Sequence, residues 1–495
     1  MDAAAAAAAG GSRTKTFNVL VSSSTGRMAN PTNSIQPVFS PSGKEMLTLY
    51  TCSKSFPSRF RSLKRLYPCS GSKTGPVHPV GCSMKPRIDK NNATNKNPTT
   101  ELDQKSTVPN LDTPPPNPPV TSTSSQGLVF DLGPSNSWDC LEVGSPVVKR
   151  YIGDNEERWY MWYHGRHGGS DGSESIGLAV SSNGIHWARG GDRVRSCADA
   201  GMVMDCRNSW WAFDTESIRP SEMVIMSSPM YSAVYWLYYT GYGGSAEIDL
   251  SGVPAISLRN PERFSCDPDD NKKSAANKIH LSLPGLACSQ DGRHWARIEG
   301  DHHSGALLDV GSEKEWDSVF IAAPHVIVHD SDDLRMYYYS FDKENCQFAI
   351  GLARSRDGIR WVKYGKILEG GSSGSFDECG VKNACVVKKR KAGNYLMAYE
   401  GVAADGKRSI GMAISEDGLK NWKRLQEGPV LQPSEEEGWD NKGVGSPRLV
   451  HMENSINEWR LYYGGFGIGG RTGIGMAVSG GSDIRTFRRW SGFCL

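Results

Sequence analysis

IGLAVSSNGIHW (residues 176–187) is the stretch that decides the fold, because the chain repeats it: GLACSQDGRHW at 285–295, IGLARSRDGIRW at 350–361, IGMAISEDGLKNW at 410–422 and IGMAVSGGSDI at 474–484. Each copy opens as an alternating strand. Four reach Asn-Gly or Asp-Gly, dipeptides that supply the positive φ angles of a two-residue hairpin, and a Trp then begins the returning strand. Upstream of every copy lies an aromatic strand: WYMWYHGR from Trp159, YWLYYTGY from Tyr235, RMYYYSF from Arg335, YLMAYEG from Tyr395 and WRLYYGG from Trp459. Further upstream an aromatic-Asp pair precedes a β-branched strand, at Trp138-Asp139, Phe213-Asp214, Trp316-Asp317, Phe376-Asp377 and Trp439-Asp440.

Each repeat therefore reads as four antiparallel strands, the unit of a β-propeller blade, and five repeats predict an all-β, five-bladed β-propeller. The spacing of the hairpin tryptophans, about 60 to 70 residues, excludes WD-type blades of ~40–45. It also places an insertion at residues 242–284, expected as an exposed loop. No helical period separates the strands, which excludes a doubly wound fold.

The formal charge of +2 is unevenly spread. Residues 1–88 carry twelve Lys or Arg and two acids, leaving 44 bases against 52 acids beyond them. A mildly acidic folded part argues against nucleic-acid binding. No run approaches the ~18 apolar residues of a membrane span, so no membrane insertion is expected. Residues 1–88, rich in Ser, Thr and basic residues, have the profile of a transit peptide, with the chloroplast stroma the expected address and mitochondrion or cytosol the alternatives. Residues 89–126, rich in Pro, Asn, Thr and Ser, read as an extended linker, and 127–495 as the propeller. The twelve cysteines show no metal-type spacing, so no metal and no cofactor is expected. Cys197 and Cys206 are close enough in sequence to bridge, although reduced thiols are the expectation for a protein that is not secreted.

In this topology the starts of first strands and the ends of second strands converge at one mouth. That gathers Glu142, Glu216, Arg219, Asn383, Ser446 and Arg448 with His164, Arg166, Tyr242, Asp342 and Glu400. Glycoside cleavage needs one carboxyl to protonate the leaving oxygen and another as base or nucleophile. Glu216, Glu400, Glu142 and Asp342 are the candidates, with Glu400 as general acid of raised pKa beside Tyr399, Gly401 and Val402, and Glu216 as base or nucleophile. His164, Arg166, Arg219, Tyr242, Asn383 and Arg448 are candidate substrate-binding residues. The aspartates of the aromatic-Asp pairs, present in every repeat, are expected to accept backbone N–H groups.

The five concordant repeats, with their SxDGxxW-like hairpins, resemble the five-bladed propeller superfamily of arabinanases, levansucrases, invertases and β-mannoside phosphorylases, here as a plant plastid-targeted member. The hairpin string also resembles the Asp-box of sialidases, which have six blades rather than five. The resemblance implies a carbohydrate substrate and a glycoside hydrolase, or a related transferase or phosphorylase. It also implies a catalytic Asp before the proline of a first strand. Here that position holds Ser145, Arg219, Ala323, Asn383 (before Ala384) and Ser446, none acidic. The alternative expectation is therefore a catalytically inactive propeller that binds a glycan or a protein partner. Neither reading fixes the oligomeric state.

Overall fold

The structure, a computed structural model, describes residues 25–27, 125–228 apart from 154–155 and 169–171, 231–247, 278–389, 393–435, 437–453 and 457–492. Apart from residues 25–27, the expected transit segment lies outside the described residues, as does nearly all of the linker. Among the described residues there is no α-helix; apart from strands only a short 3-10 turn forms at Ile468–Gly470.

Each repeat folds as an antiparallel meander. The first, second and third strands are Glu142–Ile152, Glu157–Arg166 and Glu174–Ser181; Ser217–Ser228, Tyr231–Glu247 and Lys278–Ser289; Ala322–Asp330, Asp333–Asp342 and Gln347–Ser355; Val381–Lys388, Tyr395–Val402 and Arg408–Ser415; Gly443–Met452, Glu458–Phe466 and Thr472–Gly480. A fourth strand follows the hairpin, from two residues (Ala188–Arg189, Lys423–Arg424) to seven (Val362–Leu368, Asp483–Arg489). The second strands of repeats three and four are buried along their whole length, with the carboxylates of Asp342 and Glu400 included. The insertion in repeat two differs from the expected loop. Its flanks extend the hairpin, with Ala246 opposite Ile279, while residues 248–277 lie outside the described residues.

The repeated hairpin is also not a two-residue turn. Gly184, Gly292, Gly358 and Gly418 take positive φ (69° to 75°), but the residue before each does not. Instead that Asn or Asp closes a longer turn with its side chain. Asp291 Oδ1 accepts the N–H groups of Arg293 and His294, and Asn183, Asp357 and Asp417 make the same pair of bonds.

The second conserved device is an Asp–Tyr–base triad rather than the expected bond to backbone N–H. Tyr163, Tyr239, Tyr338, Tyr399 and Tyr463 donate their hydroxyls to Asp139, Asp214, Asp317, Asp377 and Asp440 at 2.8 to 3.1 Å. The same carboxylates receive Arg189, Arg297, Lys363, Arg424 and Arg489 from the fourth strands. The aromatic residue preceding each Asp packs on that tyrosine, with Trp439 and Tyr463 stacked at 5.9 Å. A Cβ on Gly475 would sit 2.2 Å from the Tyr463 ring, which is why the third strand carries glycine there.

Repeats are joined by one recurring bond. Trp162 Nε1–H donates to Gly292 O, Tyr238 OH to Gly358 O, Tyr337 OH to Gly418 O, and Tyr462 OH to Gly184 O, at 2.7 to 3.0 Å. The last joins repeat five to repeat one. There the strand Leu128–Phe130 also pairs with Thr472–Gly480. The cysteines of the described residues are free, Cys197 and Cys206 included. Burial pushes the Cys206 thiol up to about 12, so it is inert at neutral pH.

Candidate functional site

The first strand of every repeat bulges near its X-Pro position. Ser145, Ala323, Asn383 and Ser446 there take left-handed backbone, φ 46° to 52°, a conformation that costs about 1 kcal/mol or more for a residue with a Cβ. Together with Ser221 of repeat two these residues line one cleft, so all five first strands converge on it. Its volume is ≈ 30 Å³, room for about two waters.

Three charged clusters support the cleft. In the first, the Arg219 guanidinium grips Glu174 through two bonds of 2.5 and 2.6 Å and Glu142 through one of 3.1 Å. Arg166 Nε–H donates to Glu142 at 3.0 Å, and His164 lies 3.4 Å from it. Burial would raise the Glu174 carboxyl, but Arg219 outweighs it and holds the pKa below the ordinary value. The donor atoms of Glu142, His164 and Glu174 lie within 4.8 Å of one another, yet Arg219 already occupies the position between the two carboxylates that a cation would need.

The second cluster surrounds Glu400, which is 0 % exposed. Its carboxylate takes Lys382 Nζ at 3.0 Å, Asn383 Nδ2–H at 2.8 Å and the Ser446 N–H at 3.0 Å, with Arg408 at 3.6 Å. Burial raises its pKa, but Lys382, Arg408, Asn383 and Ser446 together pull it below the ordinary value. The raised pKa expected from Tyr399, Gly401 and Val402 is thus reversed. Those neighbours are apolar along the chain, while the partners that set the charge come from other strands.

The third cluster lies beneath the mouth and joins all five repeats. Glu222 binds Lys149 at 2.5 Å, His325 at 2.7 Å and Arg448 at 2.6 Å. Arg448 also reaches the carbonyls of Pro146, at 3.2 Å, and Ser221. His325 Nε2 lies 3.0 Å from Val386 O. Sequence reasoning found Arg448 but missed Lys149, Glu222, His325, Glu174, Lys382 and Arg408. A signal was present: Lys149, Glu222 and His325 each interrupt an apolar strand one to three residues after its X-Pro, where a polar residue has to be satisfied from across the sheet.

The remaining candidates lie apart. Asp342 is buried and bound to Lys366 at 3.0 Å and Asn345 Nδ2 at 2.8 Å. Burial would raise its pKa, and Asn345 and Lys366 lower it. Tyr242 is buried and gives its carbonyl to the Glu216 N–H at 2.8 Å. Glu216 is exposed (45 % for its side chain) and lies 3.1 Å from His280.

No family model matches this chain. An uncharacterized protein of Mycobacterium tuberculosis (strain CDC 1551 / Oshkosh) is 33% identical over 172 residues, which cover 33% of this chain and 52% of that protein. A second, from strain ATCC 25618 / H37Rv, is 31% identical over 175 residues. The chain spans about half the length of the curated relatives it matches. Among solved structures, a glycoside hydrolase superposes with TM-score 0.50 at 16% identity, over 75% of this chain and 96% of its own. A BT0996 RGII complex gives TM-score 0.50 at 17% identity, over 74% and 97%. At that identity the likeness is one of fold: the described part of the chain shares the all-β fold of a glycoside hydrolase.

Proposed function

We propose that residues 127–495 form a closed five-bladed β-propeller that is carbohydrate-active and binds a saccharide across the mouth ringed by Ser145, Ser221, Ala323, Asn383 and Ser446. The Tyr462–Gly184 bond, equivalent to the bonds between successive repeats, supports closure. One observation carries the binding site: strands from five repeats converge on one small polar cleft, four of them through left-handed backbone, above a shared buried ion network. The fold shared with a glycoside hydrolase supports a carbohydrate as the ligand class.

Binding is the reading the electrostatics favour. A general acid needs a carboxyl still protonated near neutral pH, whereas Glu142 and Glu400 are buried and held by cations. A second reading, glycoside cleavage by hydrolysis or phosphorolysis, rests on Glu216, the one of the four candidate carboxylates that reaches solvent, with His280 beside it. In that reading Glu216 is the base or nucleophile.

Calorimetric titration of the full chain with a saccharide panel, alongside turnover of aryl glycosides and sugar phosphates with and without phosphate, separates the two. Binding without turnover supports the first reading. Turnover abolished by Glu216→Gln supports the second, and a protein that neither binds nor converts any saccharide refutes both. Plastid import through residues 1–88 is part of the proposal, and a fluorescent fusion of residues 1–100 that stays in the cytosol would refute it.

A further inference from the structure

The loop that leads into each first strand contains the same β-turn. Its closing N–H···O bonds run from Ser137 to Pro134, Ala212 to Ser209, Glu315 to Ser312, Ser375 to Ser372 and Gly438 to Glu435, all 2.8 to 3.0 Å. The two tip residues are Ser135-Asn136 in repeat one, Glu313-Lys314 in repeat three and Ser373-Gly374 in repeat four; Glu437 occupies the second tip position in repeat five. In repeat two they are Trp210-Trp211, exposed to 92 % and 38 %. The turn therefore forms without large side chains, and the fold has no use for an indole at a tip facing water.

Trp211 is held from one side. The Arg207 guanidinium lies 5.6 Å from its ring centroid, and Arg207 is itself fixed by Asp214 at 3.6 Å and Glu299 at 3.5 Å. The loop is closed by Arg207 N–H to Asp214 O at 3.0 Å, so both indoles sit on a braced support. Glu216 follows Trp211 by five residues, at most about 18 Å of chain.

We propose that Trp210 and Trp211 form an outlying saccharide platform, so that the ligand at the mouth is an oligosaccharide or polysaccharide chain rather than a single sugar. This rests on the carbohydrate reading above. An exposed indole presents a flat apolar face to the C–H face of a sugar ring and an N–H to a hydroxyl. Two such side chains cover at most about 500 Å², below the ~800 Å² per partner of a stable protein interface, and polar turns occupy the equivalent tips. The patch matches sugar rings in size, and neither tryptophan is among the residues that line the cleft, so a ligand that touches both cleft and platform spans more than one ring.

The test uses the full 495-residue chain and linear manno- and arabino-oligosaccharides of one to eight rings, with affinity measured against length. The wild type gains affinity up to the length that reaches the platform. Trp210→Ala removes that last gain, about two- to tenfold, leaves one- and two-ring ligands unchanged and does not alter the melting temperature; Trp210→Phe retains part of the gain. An unaltered length dependence in Trp210→Ala overturns the platform while leaving mouth binding standing. Equal loss for short and long ligands overturns it as well. Absence of binding at every length overturns the platform together with the carbohydrate reading.

Discussion

Replacing Arg448 with Met tests whether one buried ion network ties the five repeats together. Arg448 comes from repeat five and contacts Glu222 and Ser221 O of repeat two, His325 of repeat three and Pro146 O of repeat one. Methionine fills much of the volume and supplies none of these bonds. Glu222 keeps Lys149 at 2.5 Å and His325 at 2.7 Å, but two carbonyls and part of its own charge lose their donor away from solvent. Removing one partner of a buried ion pair costs about 3–5 kcal/mol. Unfolding roughly 370 residues carries an entropy of about 0.8 kcal/mol/K, so the expected fall in melting temperature is about 4–6 °C.

The same range applies to Glu222→Gln, which leaves Arg448 and Lys149 facing each other across an uncharged amide. Because the two substitutions disrupt one network, the double variant should fall short of their sum by at least about 1 kcal/mol. Thermal melts followed by far-UV circular dichroism, with urea titration as the second measure, give all three values. A fall below 1 °C for Arg448→Met with the β signature intact, or strict additivity in the double variant, would refute the network as the element that joins the repeats.

Four further outcomes follow from the same physics. Glu400→Gln, which takes a buried carboxylate away from Lys382 and Arg408, should cost about 3 kcal/mol in urea titration, whereas Glu216→Gln, removing an exposed contact to His280, should move the midpoint by less than about 1 kcal/mol. Glu222 and Glu400 have folded pKa values below the unfolded ones, so their stabilisation is complete above about pH 4.5 and lost as the pH falls further; His325, held below 6.5 chiefly by burial, adds a loss that starts under pH 6.5. Tyr238 and Tyr463 are raised by burial, so their contribution is complete below pH 10 and lost above it, and melts from pH 3 to 11 should show a plateau between about pH 7 and 9.5. Tyr463→Phe, which takes one donor from buried Asp440, should cost about 1–2 kcal/mol on the same melts, with Arg489 keeping the carboxylate paired.

The repeats were legible because each part of a repeat leaves a local mark: aromatic runs for second strands, Gly-Leu-Ala-type runs for third strands, Asp-Gly for the turns between third and fourth. The partners of those marks were less so. The aspartate beside Trp138 or Trp439 looks in sequence like a turn residue, and only the approach of a tyrosine two strands away shows what it accepts. The site suffers most from this, since Arg219 beside Glu142 and Lys382 beside Glu400 lie on other strands. Tyr399, Gly401 and Val402 described the chain around Glu400 correctly and its environment wrongly.

The departure at the X-Pro positions acquires a physical meaning once the bulges are seen. Four of the five positions keep a left-handed residue that is not glycine, a costly conformation that a β-strand serving only as scaffold could relax. The side chains at those positions are Ser145, Ala323, Asn383 and Ser446, none of them an acid. Asn383 and the N–H of Ser446 now donate to Glu400, and Arg219, at the fifth position, grips Glu174 and Glu142. Donors at the mouth thus neutralise the nearby carboxylates from above while Lys382 and Arg408 do so from the side. On the binding reading proposed above, a site built this way presents hydroxyls, amides and compensated charge, which suits holding a neutral polyol far better than transferring a proton to it.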